Sequence, residues 1–377
     1  MCHGDGVVDN MSFSLFLGPF TGGQDGGILL KRSKIPILLA ILAAACYGVS
    51  SPVSKYLLLE LPPTFIAALL YLGAGLGMAF VNLFRSRTNA EQKEARVTKR
   101  EMPYVISMIV LDIAAPIALM FGLSMTTPAN ASLLNNFEIV ATSLIAFFVF
   151  KEAVGKRMWI AITLITLASI ILSFEDISSL SFSFGSLLVL AACICWGFEN
   201  NCTRMLSIKD PLQIVVVKGF GSGTGALIIA IAIREYSFNA LFIIYALLLG
   251  FFAYGLSIYF YILAQRELGA ARTSAYYAIA PFIGVGLSFI VFGQAITASF
   301  IIALVIMIFG AYFAAVEKHK HLHIHEATEH EHRHNHSDGH HDHVHDSPVA
   351  EHSHPHKHEQ ITHEHTHTPD THHNHIH

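Results

Sequence analysis

Carboxylates and amides inside long apolar runs are the first residues of this 377-residue chain that could do chemistry. Glu138 lies within the run 127–149. At 100° per residue, Asn135, Glu138 and Thr142 fall within about 60° of one another on a helix. A charge at a bilayer midplane costs about 2.5–3.5 kcal/mol on insertion scales. The stripe therefore reads either as a substrate or proton site facing a cavity, or as a hydrogen-bond seam between helices. Glu199 is the second candidate, with Asn200, Asn201, Thr203 and Arg204 behind it. If the segment is helical, Cys195, Glu199 and Cys202 share a face, which admits a soft-metal site. A gate or interfacial salt bridge and a role as substrate ligand are the plainer readings, on equal terms. Asp112 and Lys218 are the remaining charges deep in apolar runs, and an ion pair among these groups is open. Tyr47, Trp196, Tyr276 and Tyr277 are candidate cavity-lining aromatics, with packing or interface anchoring as the alternative.

Histidine supplies a different chemistry at the other end of the chain. Of 24 histidines, 23 lie from His319 onward. They recur at alternate positions, as in His319, His321, His323 and His325, and cluster again at His340, His341, His343 and His345. Neutral imidazole suits zinc, nickel, cobalt and copper. Alternate residues of an extended chain share a side, so the expectation is a set of loose metal sites rather than one tetrahedral centre. A solubilising tail and a pH-dependent switch are the other readings.

The elements that must position these residues follow from composition. The chain is 53% hydrophobic and only 13% charged, with mean hydropathy +0.52. A soluble domain carries about 25% charged residues, so an ordinary water-soluble enzyme is excluded. A bilayer needs about 20 apolar residues per helix. Ten such stretches can be marked, near 35–57, 64–84, 103–123, 127–149, 157–174, 184–204, 211–232, 239–263, 270–292 and 296–316. Residues 1–34 form an extension without the marks of a signal peptide, and Met11 is an alternative start. Residues 317–377 are too polar to bury a core and are expected to be disordered. With the N-terminus inside, Lys and Arg divide 19 to 1 between the two sides, only Arg234 lying outside. The positive-inside rule then puts both termini in the cytoplasm, in what reads as a bacterial inner membrane.

Two halves of the chain repeat each other. Ala43-Ala44-Ala45-Cys46-Tyr47-Gly48 corresponds to Ala192-Cys193-Ile194-Cys195-Trp196-Gly197 at an offset of 149. Gly73, Gly75 and Gly77 correspond to Gly221, Gly223 and Gly225 at 148. Ala129-Asn130-Ala131-Ser132 corresponds to Ala271-Arg272-Thr273-Ser274 at 142, which sets Tyr276 and Tyr277 against Leu134 and Asn135. Five spans per half is an odd number, so residues 184–316 should be inverted relative to residues 35–174. Inverted repeats build carriers that expose a midplane site to each side in turn.

These motifs resemble the drug/metabolite transporter superfamily, EamA type. The resemblance rests on the small-residue-Tyr/Trp-Gly element of spans 1 and 6, and on the small-residue turn leading to Phe150-Lys151-Glu152 and Phe292-Gly293-Gln294. It covers about residues 35–316 and omits the histidine tail. It implies ten helices in two inverted repeats, and gradient-driven, often outward, movement of small metabolites. The expected function is thus a secondary active exporter, proton-coupled, with no required cofactor. Its partners would be the lipid bilayer, a small-molecule substrate and divalent ions on the tail, with a homodimer as a candidate assembly and no nucleic acid. Two alternatives stay open: an exporter of divalent metal with the tail as collector, and a membrane-anchored metal buffer or sensor that transports nothing. No nucleophile elbow, HExxH or phosphate-binding glycine loop occurs, so an enzyme is not expected.

Overall fold

The computed structural model describes residues 34–88, 99–151, 154–176, 181–206, 209–268, 273, 276–316, 319–325, 328–335, 351–358 and 361–367. Arg272, His340, His341, His343 and His345 lie outside the described residues. The body is helical. Span 1 is α1 (Lys34–Gly48) with α2 (Ser50–Leu57), span 2 is α3 (Pro63–Thr88), and span 3 is α4 (Met102–Met125). Span 4 is α5 (Pro128–Leu134) with α6 (Phe137–Phe148), and span 5 is α7 (Lys156–Ser173). A short antiparallel pair, β1 (Phe174–Asp176) and β2 (Ser181–Phe182), joins the halves. Span 6 is α8 (Phe184–Leu206) and span 7 is α9 (Pro211–Ala232). Span 8 is α10 (Ala240–Gly250), a π-helical turn over Phe251–Leu256, and α11 (Ser257–Leu268). Spans 9 and 10 are α12 (Ala280–Phe292) and α13 (Ala298–Ala315). Among the described residues eight helices are long and apolar enough to cross a membrane. The other two are α8, which carries Glu199 and Arg204, and the shorter α12.

Local chemistry sets where the helices begin. Thr127, Asp210, Asn239 and Thr297 are N-caps whose side chains accept hydrogen bonds from the first turn. Each satisfies a backbone donor that would otherwise be orphaned in lipid. Pro128 and Pro211 follow two of these caps at the first helical position, where proline's missing N–H costs nothing. Gly293 ends α12 at φ 56°, the left-handed cap that favours glycine. Outward helix faces are apolar, with Phe80, Ile228 and Ile290 strongly exposed, as a lipid-facing surface requires.

Glycine seams show how the halves relate. A Cβ on Gly221 would meet Ile109 at 2.6 Å, and one on Gly225 would run into Ile113. In the other half, Gly73 faces Leu247 and Gly77 faces Phe251, each partner 138 positions further along. Gly48 lies against Ala280 and Ile283, while Gly197 lies against Ala141 and Thr142. Gly75 meets Phe220, while Gly223 meets Leu72. Each of these contacts thus has its counterpart in the other half, as a pseudo-twofold axis through the span 2–span 7 crossing demands. At Gly48, Gly73, Gly75, Gly197 and Gly223 an added side chain would meet backbone, so a helix would have to move, whereas at Gly77, Gly221 and Gly225 it would meet side chains. The halves also break regularity at matching places. Pro116 interrupts span 3, and Tyr254, 138 positions on, sits in the π turn of span 8. Both features loosen backbone hydrogen bonding at mid-span.

The tail carries four strand segments, β3 (His319–His325), β4 (Thr328–Asn335), β5 (Glu351–His358) and β6 (Ile361–His367), with β3 paired to β6 and β4 to β5. No strands were expected there. The alternating pattern of the segments suits an extended backbone. A two-stranded ribbon is marginal by itself in water, so this pairing agrees with a tail that builds no core.

Candidate functional site

The break between α5 and α6 brings polar groups to the centre of the bundle. The backbone turns at Asn135 and Asn136, and Glu138 lies in the first turn of α6. Asn200 of α8 donates from Nδ2 to Glu138 Oε1 at 2.6 Å and approaches Thr142 Oγ1 at 3.2 Å. Asn201 donates to the Thr142 carbonyl at 3.1 Å and to the Gly197 carbonyl at 2.8 Å. Spans 4 and 6 come this close because Gly197 has no side chain: a Cβ there would meet the Ala141 Cβ at 2.6 Å. Asn135 leaves the stripe for a different neighbour. It is buried beside Cys193, whose Sγ lies 4.0 Å from Asn135 Oδ1.

A second group of charges is fully enclosed. Lys218 Nζ stands 3.1 Å from Asp112 Oδ2 and 2.9 Å from Glu199 Oε1, tying spans 3, 6 and 7 together. Tyr71 donates to Asp112 Oδ1 at 2.8 Å. Trp196 Nε1 reaches the Tyr71 hydroxyl at 3.5 Å. Thr203 also donates to Glu199 Oε1. The carboxylates of Asp112, Glu138 and Glu199 therefore share this part of the interior with the ammonium of Lys218. Lys218 pairs with two of them, while Glu138 is held by a neutral amide. A buried charge without a counter-charge costs several kcal/mol, so such a group takes up a proton or a cation instead.

Tyrosines form the wall beside Glu138. The Tyr47 ring lies 6.0 Å from that of Tyr254 and 6.0 Å from that of Tyr277. Tyr254 also packs on Tyr71 at 5.4 Å, and Tyr261 packs on Tyr277 at 5.0 Å. Ser50 donates to the Tyr254 hydroxyl at 3.2 Å, and Ser257 lies 3.4 Å from the Tyr277 hydroxyl. The Glu138 carboxylate is near enough to act electrostatically on Tyr47, Tyr254 and Tyr277. Glu138, Thr142, Asn200, Tyr47 and Tyr277 are only half-buried, whereas Asp112 and Glu199 are closed off. The first set is thus partly accessible, and the second is closed off behind it.

Of the residues singled out from sequence, the structure brings Glu138, Thr142 and Asn200 into one set. Asp112, Glu199, Lys218 and Trp196 form another, and Tyr47 and Tyr277 form the wall. Among the described residues Tyr276 joins none of these contacts. Glu199 is taken by Lys218, and no group of three metal-type side chains lies in ligating distance among the described residues. Sequence reasoning missed Tyr71, Tyr254, Tyr261, Ser50 and Ser257. A tyrosine or serine in an apolar run is ordinary, so only the position of Tyr254 opposite Pro116 in the repeat could have marked one of them.

Comparison with known proteins bears on the whole body. The model of the EamA-like transporter family matches residues 34–174 and again residues 183–316. A protein described as an uncharacterized transporter in Methanothermobacter thermautotrophicus is 25% identical over 318 residues, spanning 79% of this chain and 92% of its own. The uncharacterized transporter YyaM of Bacillus subtilis is 22% identical over 240 residues, spanning 59% of this chain and 76% of its own. A solved crystal structure superposes with TM-score 0.54 at 16% identity, covering 74% of this chain and 95% of that one. This last likeness is one of fold.

Proposed function

The chain belongs to the EamA-like transporter family, and on that premise we propose that it is a proton-coupled carrier working by alternating access. It is an integral, multi-pass membrane transporter and not an enzyme. Membership also sets aside the anchor that transports nothing. The solute we assign is a small organic molecule bearing an amino group beside a flat apolar part. The observation that carries this reading is Glu138, a half-buried carboxylate beside several tyrosines whose hydrogen-bond partner is an amide rather than a cation. An ammonium group would find that carboxylate together with the tyrosine faces that attract cations. A proton would neutralise the same carboxylate when the solute is absent. Competition between the two for one group couples their movements. The inverted repeat supplies the two gates, and the family's habit supports outward movement. The Lys and Arg bias supports cytoplasmic termini.

Purified protein in liposomes loaded with a pH-sensitive dye tests this. Addition of arylalkylamines or amino acids to wild-type vesicles is expected to move protons, and Glu138→Gln to abolish that movement without unfolding the protein. Proton movement undiminished in Glu138→Gln removes Glu138 from the coupling.

A further inference from the structure

Two buried carboxylates play no part in the coupling assigned to Glu138. Asp112 on span 3 and Glu199 on span 6 share the ammonium of Lys218 on span 7, at 3.1 and 2.9 Å. All three residues are buried. With both carboxyl groups ionised, the cluster is one unit negative. The titratable groups around it do not make up the difference. Tyr71 on span 2 donates its hydroxyl to Asp112 Oδ1 at 2.8 Å. Tyr254 on span 8 is near enough to act on Asp112, and Cys202 on span 6 near enough to act on Glu199. Phenols and thiols are neutral near pH 7. Glu138 on span 4 is close enough to feel both Glu199 and Lys218, and when ionised it adds a further negative charge.

Hydrogen bonding points the same way. Tyr71 and Thr203 satisfy one oxygen on each carboxylate, Asp112 Oδ1 and Glu199 Oε1. Asp112 Oδ2 is buried and receives no aligned hydrogen bond, although Lys218 Nζ stands near it. Like charges gathered around one nitrogen disfavour ionising both groups, and an unsatisfied charged oxygen away from water is costly.

We propose that Asp112, Glu199 and Lys218 together form a second proton-binding site, holding one exchangeable proton on the carboxylate pair in addition to the proton that Glu138 takes. The proton comes from water and forms an O–H bond on one carboxylate. The ammonium keeps its charge, and the cluster becomes neutral. Thr203 gives the site its access: its hydroxyl donates to Glu199, and the residue is only half-buried. Glu199 is followed directly by Asn200, which holds Glu138, so span 6 carries contacts to both proton sites. The use of this proton in transport rests on the proton-coupled reading above, but its binding does not.

Infrared spectra of the full-length chain in detergent micelles at neutral pH test this through the carbonyl stretch of protonated carboxyl groups. The chain carries Glu138→Gln, so that Glu138 itself contributes nothing. It should show a protonated-carboxyl band that shifts in heavy water. Adding Asp112→Asn, or separately Glu199→Gln, should remove that band, because one carboxylate beside one ammonium is neutral without a proton. Adding Lys218→Met instead should strengthen it, since the two carboxylates then lack their cation. A Glu138→Gln chain without the band overturns the proposal before any further variant is made. A band that survives both amide substitutions, or that does not move in heavy water, overturns it as well. No solute and no gradient are involved, so failure here is distinct from failure of Glu138 to couple in the dye-loaded vesicles.

Discussion

Removing the ammonium of Lys218 tests the charge arrangement most directly. Asp112, Glu199 and Lys218 are 0%, 2% and 7% exposed, so water screens none of them well. Lys218→Met leaves two carboxylates facing each other without the cation now 3.1 and 2.9 Å away. Breaking a buried pair from one side costs about 3–5 kcal/mol, because the remaining charge is stranded. At roughly 2 °C per kcal/mol for a large domain, the apparent melting temperature in detergent should fall by about 6–10 °C. A buried carboxylate escapes its cost by taking up a proton, so the deficit should shrink as pH is lowered. The triple variant Lys218→Met, Asp112→Asn, Glu199→Gln removes all three charges and should recover most of the loss. Scanning fluorimetry of the purified variants at two pH values reads both effects. A fall of less than 2 °C for Lys218→Met, or a triple variant no more stable than the single one, would refute the view that Lys218 holds these carboxylates in place.

Other outcomes follow from the same contacts. Gly197→Val puts side-chain atoms where Ala141 already stands, and should separate spans 4 and 6, lowering stability by about 1–3 kcal/mol as overpacking does. Gly286→Ala, with nothing within 4 Å of the added Cβ, should be neutral or slightly stabilising, and equal melting of the two variants contradicts the seam. Tyr71→Phe takes the donor from Asp112 Oδ1 and the acceptor from Trp196 Nε1, at a cost of about 1–3 kcal/mol for the stranded partner, readable as a lowered melting temperature. Cysteines introduced at Lys93 and at Ser347 should react with an impermeant reagent from the same side of sealed vesicles. Reaction from opposite sides contradicts the shared cytoplasmic placement.

The helical body was legible because lipid imposes a length and a polarity on every span, and those leave a strong mark on sequence. Glu138, Asp112, Glu199 and Lys218 stood out for the same reason: a charge in an apolar run is conspicuous. Their partners were not legible. That Lys218 meets both Asp112 and Glu199 depends on how spans 3, 6 and 7 approach one another. That approach is set by Gly122 against Gly185 and by Gly221 against Ile109. Helical periodicity placed Asn135 with Glu138 and Thr142, yet the break between α5 and α6 gives Asn135 to Cys193. Period alone carries no information across a break. Tyr71 and Tyr254 escaped notice because tyrosine is as common in packing as in cavities.

The repeat makes the backbone symmetric, but the chemistry placed on it is one-sided. The repeat offsets set Asp112, Glu199 and Lys218 against Gly250, Ser50 and Leu70, none of which is charged. Tyr254 and Tyr277 stand against Pro116 and Asn135 in the same way. The ion-paired brace therefore belongs to spans 3, 6 and 7, and most of the aromatic wall to spans 1, 8 and 9. The joints differ too. Spans 3 and 6 meet backbone to backbone, a Cβ on Gly122 lying 2.7 Å from the Gly185 carbonyl. Their counterparts, Phe260 on span 8 and Pro36 on span 1, carry side chains that forbid such an approach. If the halves exchange shapes, as proposed above, the two resulting states would not be equal in energy. An inequality of that kind is what a carrier needs if a proton and a solute, competing for Glu138, are to favour opposite states.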